Sequence, residues 1–319
     1  MSEEKRRYFT LLIPIICIFL ILLSFISNSN HTQNNEKKVA ESLKNINAEH
    51  AGEDSISLVY GLAEVEPPQN ETPVIISGGY YLNTLNDQVL NILSELKLPF
   101  HILEQIRLDL KENSGFINEF SAVLKDDSDY WNLVDKENPI DADYVPVDLV
   151  DLKTGMPDLE TNQMLRKAAY EALLDIKNAA SREGYTLTVL SAYRSFEHQG
   201  RTYTYWVTQE GQLQADRISA KPGYSQHQLG LAVDFNMLDN ALAETPEGIW
   251  LAANASSFGW SLSYPDGYES ITGYSWESWH YRFVGKRLAK FIDDYFDSIQ
   301  QYALMFIHEF NELQQRYGN

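Results

Sequence analysis

Tyr8 to Ile26 is an almost unbroken apolar run. At about 1.5 Å per residue it reaches roughly 28 Å, close to the hydrocarbon thickness of a bilayer. Lys5, Arg6 and Arg7 stand just before it. Positive charge there keeps that end in the cytoplasm, so the pattern predicts a single-pass anchor with the rest of the chain outside. A cleaved signal peptide is the alternative, with Ser27 and Ser29 as small residues for processing; the length of the run favours the anchor.

After the run, Asn28 to Lys38 reads NSNHTQNNEKK, and the chain stays polar as far as Pro73 with Pro67 and Pro68 interrupting it. That stretch predicts a stalk. From Leu82 to Leu124 the apolar positions take helical spacing, at Val89, Ile92, Leu93 and Leu96, then Ile102, Ile106 and Leu110, which predicts two or three short helices. Asn138 to Leu152 holds two prolines and reads as extended. Leu165, Ala168, Ala169, Ala172, Leu173, Ile176 and Ala180 form the next helical stripe, with Gly184 as its stop. Tyr185 to Ser195 reads as a strand, and Ser195 as the cap of a helix through about Glu210. Tyr224 to Asn236 and Trp276 to Gly285 read as further strands, and Lys286 to Gln301 as a helix. Helices mixed with non-repeating strands predict an α+β fold rather than a regular βαβ series.

The divisions that follow are 1–28 for the membrane segment, 29–75 for the stalk, 76–128 for a small helical region, 129–300 for a catalytic domain and 301–319 for a helical tail. Composition narrows the partners. The net charge of −20 over 319 residues excludes a nucleic-acid surface, which needs a basic face. The single cysteine, Cys17, lies inside the apolar run, so no disulfide forms within one chain and the exported part relies on its core or a metal.

Candidate chemistry sits in YSQHQLGLAVDFN, Tyr224 to Asn236. Leu229, Leu231, Val233 and Phe235 share one strand parity and predict the core face. Gly230, Ala232 and Asp234 share the other, so Asp234 has small neighbours and open room above it. A buried unpaired carboxylate is costly. A metal removes that cost, and His227 at the mouth of the strand is a second donor suited to zinc. WESWHYR supplies a third, His280, with Glu277 three residues earlier. A turn at Glu277–Ser278 brings both to one site, where Glu277 stays off the metal and accepts a proton from activated water. Asp126, Asp127 and Asp129 lack the glycine and terminal glutamate of a calcium loop and read as a solvated turn. His31, His50, His101, His198 and His308 read as surface groups.

Ser225-x-His227-x-x-Gly230-x-Ala232-x-Asp234 followed by Glu277-x-x-His280 resembles the zinc signature of VanY-type D-alanyl-D-alanine carboxypeptidases, a superfamily shared with VanX dipeptidases and L,D-carboxypeptidases. SAYRSFEHQ (Ser191 to Gln199) and NPIDADYVPVDLV resemble segments of the same enzymes. The resemblance covers roughly residues 130 to 297. It implies a small central antiparallel sheet flanked by helices and one Zn2+ per chain, held by His227, Asp234 and His280. It also implies Glu277 as general base, Arg194 as the oxyanion partner, and Gln199 and Ser225 as substrate contacts. The expected reaction is removal of the terminal D-alanine from peptidoglycan stem peptides, by a membrane-anchored enzyme acting outside the cell. L,D-carboxypeptidase or crosslink endopeptidase action remains open on the same metal site, as does a non-catalytic wall-binding module.

Overall fold

The computed structural model describes residues 85–317, apart from 113, 158, 160 and 161, together with the backbone of Val74–Ile76 and Tyr80–Leu82. The chain divides at Pro68, and every described residue belongs to the second unit, Gln69–Asn319. The predicted anchor and most of the predicted stalk lie outside the described residues. Among the described residues no helix is long and apolar enough to cross a membrane.

A short hairpin comes first, β1 (Val74–Ile76) against β2 (Tyr80–Leu82). Three helices follow: α1 (Leu85–Glu95), α2 (Phe100–Glu112) and α3 (Gly115–Val123). A second hairpin pairs β3 (Leu149–Asp151) with β4 (Met164–Arg166). The predicted helix after it is α4 (Lys167–Arg182), which starts two residues after Leu165 because Leu165 and Arg166 are already committed to β4. The chain leaves α4 through Gly184 at φ 87°, a value natural to glycine. Then come β5 (Val189–Ser191), α5 (Phe196–Glu210) and α6 (Gln212–Ile218). Ser195 caps α5, its Oγ accepting from the His198 amide at 3.3 Å. The remaining elements are β6 (Ala232–Phe235), α7 (Pro246–Asn254), β7 (Trp260–Leu262), α8 (Glu269–Thr272), β8 (His280–Phe283), α9 (Lys286–Tyr295) and α10 (Gln300–Tyr317).

The central sheet has the order β5-β6-β8-β7, and every neighbouring pair is antiparallel. Its two faces differ as the strand parity predicts. Val233, Phe235, Tyr281 and Phe283 pack with Leu229, Leu231 and α4 in one apolar core. Asp234, His280 and Arg282 face the other way from these and are also buried.

A second core lies among α1, α2, α3, α9 and α10, built around Phe116, Phe120, Phe291, Phe296 and Phe306. The stretch read as one helix from Lys286 to Gln301 is in fact two. Asp297 and Ser298 take positive φ of 51° and 59° between α9 and α10, which no continuing α-helix accepts. The reversal lets both helices pack their apolar faces into one core with α3. The acidic turn before Tyr130 also differs from the solvated loop predicted for it. Asp127 and Asp129, with Asp148, surround the Arg166 guanidinium at 3.3, 2.7 and 2.7 Å. Arg282 gives Nη2 to the Tyr130 carbonyl at 3.0 Å. These contacts tie the turn to both β-units.

Phe306 is fully buried, with ring centroids 4.9 Å from Phe120 and 5.4 Å from Phe116. Phe306→Ala is expected to cost about 3–5 kcal/mol, read as a lower urea midpoint at an unchanged denaturant slope. A loss below about 1 kcal/mol would mean the aromatic cluster does not hold α10 in place.

Candidate metal centre

The pairing of β6 with β8 sets Asp234 directly opposite His280. Directly opposed residues on one face carry their Cβ atoms about 4.5–5.5 Å apart, so two strands rather than a loop bring these groups together. Asp234 Oδ1 lies 3.0 Å from His280 Nδ1. His227 arrives on a 3-10 turn, Gln226–Leu229, that runs into the start of β6. Its Nε2 is 3.2 Å from Asp234 Oδ2. One donor atom from each of the three residues falls within 4.8 Å of the others, and all three side chains are buried. Among the described residues they are the one group of histidine and acidic side chains placed to share an ion.

Local backbone explains how His227 is aimed. Ser225 Oγ accepts from the His227 amide at 3.3 Å and caps the turn. Gly230 ends it in the left-handed region at φ 67°. A Cβ on Gly230 would meet Leu149 Cδ2 at 2.9 Å, so this glycine serves close packing of the turn against the β3 hairpin. It does not clear the room above Asp234 that strand parity suggested, because positive φ at Gly230 takes it out of the strand. The Arg194 amide donates to the His227 carbonyl at 3.1 Å, which stitches the turn to the segment after β5.

The ring nitrogens are assigned by their partners. His227 Nδ1 lies 2.7 Å from the Ala192 carbonyl. A carbonyl only accepts, so Nδ1 carries the proton and Nε2 presents its lone pair to the centre. His280 Nε2 faces Gln226 Oε1 at 3.2 Å, and its Nδ1 faces Asp234. The inward atoms are thus two imidazole nitrogens and a carboxylate, a borderline-soft and hard mixture that suits zinc and leaves coordination positions for non-protein ligands. The donor set fits the ion that the residue pattern implies.

Glu277 and Arg194 complete the constellation. The chain turns at Ser278–Trp279, and the His280 amide donates to the Glu277 carbonyl at 3.2 Å. That reversal places Glu277 Oε2 3.7 Å from His280 Nδ1, inside the same buried site. Arg194 Nη2 lies 3.8 Å from Asp234 Oδ2. Its guanidinium is held from behind by Ser191 Oγ and Gln199 Oε1, each at 2.8 Å. Gln199 spends its amide nitrogen on the Ala220 carbonyl at 2.6 Å, so its whole head group serves to orient Arg194. Ser225 caps the His227 turn and keeps its own hydroxyl hydrogen to give. Tyr264 closes one wall, its ring 4.9 Å from that of His280.

Charges follow from burial. Burial depresses the His227 imidazole to about 4 against the opposing pull of Asp234, so the ring is neutral at physiological pH. Burial alone would raise Asp234, but its interactions with His227 and His280 prevail and keep it ionised. Burial first, then the Asp234 charge, raises the proton affinity of Glu277 well above that of a free carboxylate, against the pull of Arg194. The site therefore holds one firmly ionised acid and one acid that retains a proton readily.

Sequence reasoning missed Ala192, Ser191 and Gln226, which steady His227, Arg194 and His280 from behind. Gln226 sits between Ser225 and His227 and carries no spacing signal. The other two act through a main-chain carbonyl and a hydroxyl that any strand end could present.

His227 also sets an acid limit on the metal-free fold. Its folded-state proton affinity is below that of an unfolded imidazole, so the unfolded chain takes up the proton first. Metal-free protein is expected to lose stability as pH falls from about 6.5 to about 4, with His227→Gln flattening that limb in urea titrations run at each pH. Identical limbs in the two proteins would contradict this.

Comparison with known proteins bears on the same residues. The family described as VanY, D-alanyl-D-alanine carboxypeptidase, matches residues 162–286, a span that contains Arg194, His227, Asp234, Glu277 and His280. YodJ of Bacillus subtilis (strain 168), named as a carboxypeptidase, is 33% identical over 211 residues, covering 64% of this chain and 76% of that protein. A D-alanyl-D-alanine carboxypeptidase of Enterococcus faecalis (strain ATCC 700802 / V583) is 35% identical over 178 residues, covering 52% of this chain and 63% of the relative, just under two thirds of its length. Among solved structures, a mutant of the vancomycin-resistance D,D-pentapeptidase VanY in complex with Zn(II) aligns at 31% identity and a TM-score of 0.47, covering 56% of this chain and 99% of its own. With His227, Asp234, His280, Glu277 and Arg194 all inside the matched span, this chain belongs to the VanY family of D-alanyl-D-alanine carboxypeptidases.

Proposed function

We propose that this chain is a zinc carboxypeptidase that removes the terminal D-alanine from peptidoglycan stem peptides ending in D-alanyl-D-alanine. The observation that carries the reading is the placement of a second carboxyl group, Glu277, 3.7 Å from the inward nitrogen of His280 in a buried His-Asp-His group. A structural metal site has no use for an uncoordinated acid held there.

His227 Nε2, Asp234 and His280 Nδ1 would hold one Zn2+ per chain. When bound, the ion supplies Lewis acidity and makes water a competent nucleophile near neutral pH. Glu277 takes the proton of the attacking water and delivers it to the leaving amine nitrogen of D-alanine. Its raised proton affinity suits it to hold that proton between the two transfers. Arg194 is already oriented by Ser191 and Gln199, so it presents fixed donors to the negative charge that develops on the scissile carbonyl oxygen. Ser225 offers its hydroxyl hydrogen to the substrate, and Gln199 acts on it through Arg194.

The apolar run Tyr8–Ile26 behind Lys5, Arg6 and Arg7 supports a membrane-tethered enzyme whose catalytic unit lies on the cell-wall side. A tether of that kind keeps the site near newly exported stem peptides.

Glu277→Gln is expected to lower kcat by about 10²–10⁴-fold while zinc stays bound, checked by metal analysis of the same sample. Wild-type turnover by that variant would remove Glu277 from the reaction. Arg194→Lys keeps the charge but loses the fixed fork of donors, and should lower kcat by about 10-fold or more with a smaller change in KM. Incubation of the full chain with a D-Ala-D-Ala-terminated pentapeptide should release one alanine, and chelator should stop it, as read by mass spectrometry. Release from the tetrapeptide instead would establish L,D-specificity, and chelator-insensitive release would defeat the metal reading.

A further inference from the structure

Behind His280, away from the metal side, lies a chain of buried amides that the reaction does not touch. Gln226 Oε1 faces His280 Nε2 at 3.2 Å and accepts from Ser263 Oγ at 2.7 Å. Gln226 Nε2 donates to Gln300 Oε1 at 3.4 Å, and Ser263 Oγ is also 3.4 Å from that oxygen. Gln300 Nε2 donates to the main-chain carbonyl of Ser261 at 3.1 Å. Gln226, Ser263 and Gln300 are 2%, 2% and 1% exposed, which keeps bulk water from replacing any partner.

The far end of this chain has a fixed sense. Ser261 is in β7, and its carbonyl can only accept. Gln300 must therefore turn its NH2 toward Ser261 and its oxygen toward Gln226. Gln226 must answer with its own NH2, which leaves its oxygen for His280. That oxygen takes two donors, the Ser263 hydroxyl and the His280 Nε2–H. The reverse arrangement would set two amide oxygens against each other in a buried site, where an unmet polar group costs about 1–3 kcal/mol.

We propose that Gln300 is a positioning residue for the metal centre: acting through Gln226, it fixes Nε2 of His280 as a hydrogen-bond donor, so that Nδ1 is the ring nitrogen left for the ion. The inference rests on the reading of His280 as a ligand. It assigns a use to α10, whose first residue is Gln300 and whose apolar face sits in the core with α1–α3. Packing of that second core thereby sets the protonation pattern of a ligand in the first. A carboxylate at position 226 would accept from His280 whichever way it turned and would need no orienting partner.

The direct test uses the unmodified full chain. In zinc-loaded protein labelled with 15N-histidine, the His280 ring, identified by the loss of its signals in His280→Gln, should show the proton on Nε2 and ligation through Nδ1. A ring protonated on Nδ1, with Nε2 as the ligating nitrogen, overturns the proposal with no variant needed. Gln300→Leu should then raise the zinc dissociation constant by about 10–100-fold, measured by competition with a chromophoric chelator. Adding Gln226→Glu to Gln300→Leu should bring the affinity back towards wild type. Rescue distinguishes orientation of the imidazole from a packing defect, which a change at position 226 would not repair. Wild-type zinc affinity in Gln300→Leu, or loss without rescue in a double variant that retains its native circular dichroism, sinks the proposal. His280→Gln binding zinc as tightly as wild type would instead sink the ligand reading beneath it.

Discussion

The carboxylate of Asp234, buried between two imidazoles, is the constraint around which the catalytic unit is built. An ionised acid taken out of water is tolerated only when its neighbours compensate it. Here the compensation is geometric as well as chemical. His280 is opposite it across two antiparallel strands, and His227 reaches it from a capped 3-10 turn. A one-residue slip of β6 against β8 would send Asp234 into the apolar core formed by Val233, Phe235 and Tyr281. The same alternation that fills the core therefore defines the geometry of the His-Asp-His cluster, and the fold cannot keep one without the other.

Several polar groups of the site are steadied by partners that are not themselves reactive. His227 leans on the Ala192 carbonyl, Arg194 on Ser191 and Gln199, and Gln199 in turn on the Ala220 carbonyl. In a buried site these partners serve twice, since they also satisfy donors and acceptors that water cannot reach. Gln199 illustrates how a buried amide aims a neighbouring charged side chain. At 1% exposure with both ends of its amide engaged, it transmits its influence through the guanidinium.

Much of this was legible in the sequence because it depends on period and spacing. The alternation at Leu229–Phe235 separates core from site, the Ser195 cap starts α5 where expected, and the Glu277-x-x-His280 spacing needs only a turn to converge. What was not legible depends on contacts between distant segments. The carboxylates around Arg166 look like a solvated turn until β4 brings the guanidinium among them. Gly230 reads as a small strand residue until its positive φ and its contact with Leu149 are seen. The break at Asp297–Ser298 is invisible to propensity because neither residue is a glycine, and only packing of α9 and α10 onto one core supports their left-handed backbone.

That last break ties the two cores together. If the helix ran on from Lys286, the residues of α10 would project along the α9 axis and Gln300 would not lie behind the central sheet. The two αL residues turn the chain so that Leu304, Phe306 and Ile307 enter the aromatic core while Gln300, at the start of the same helix, meets Ser261 of β7. Apolar burial among the helices thus holds a polar side chain in a place where its own hydrogen bonds could not keep it alone. A buried amide bonded at 3.1 and 3.4 Å is a weak anchor; a helix with several fully buried side chains is a strong one. The orientation of groups behind the His-Asp-His cluster is therefore maintained by hydrophobic packing remote from it, which is why residues outside the signature motifs belong in any physical account of how the site works.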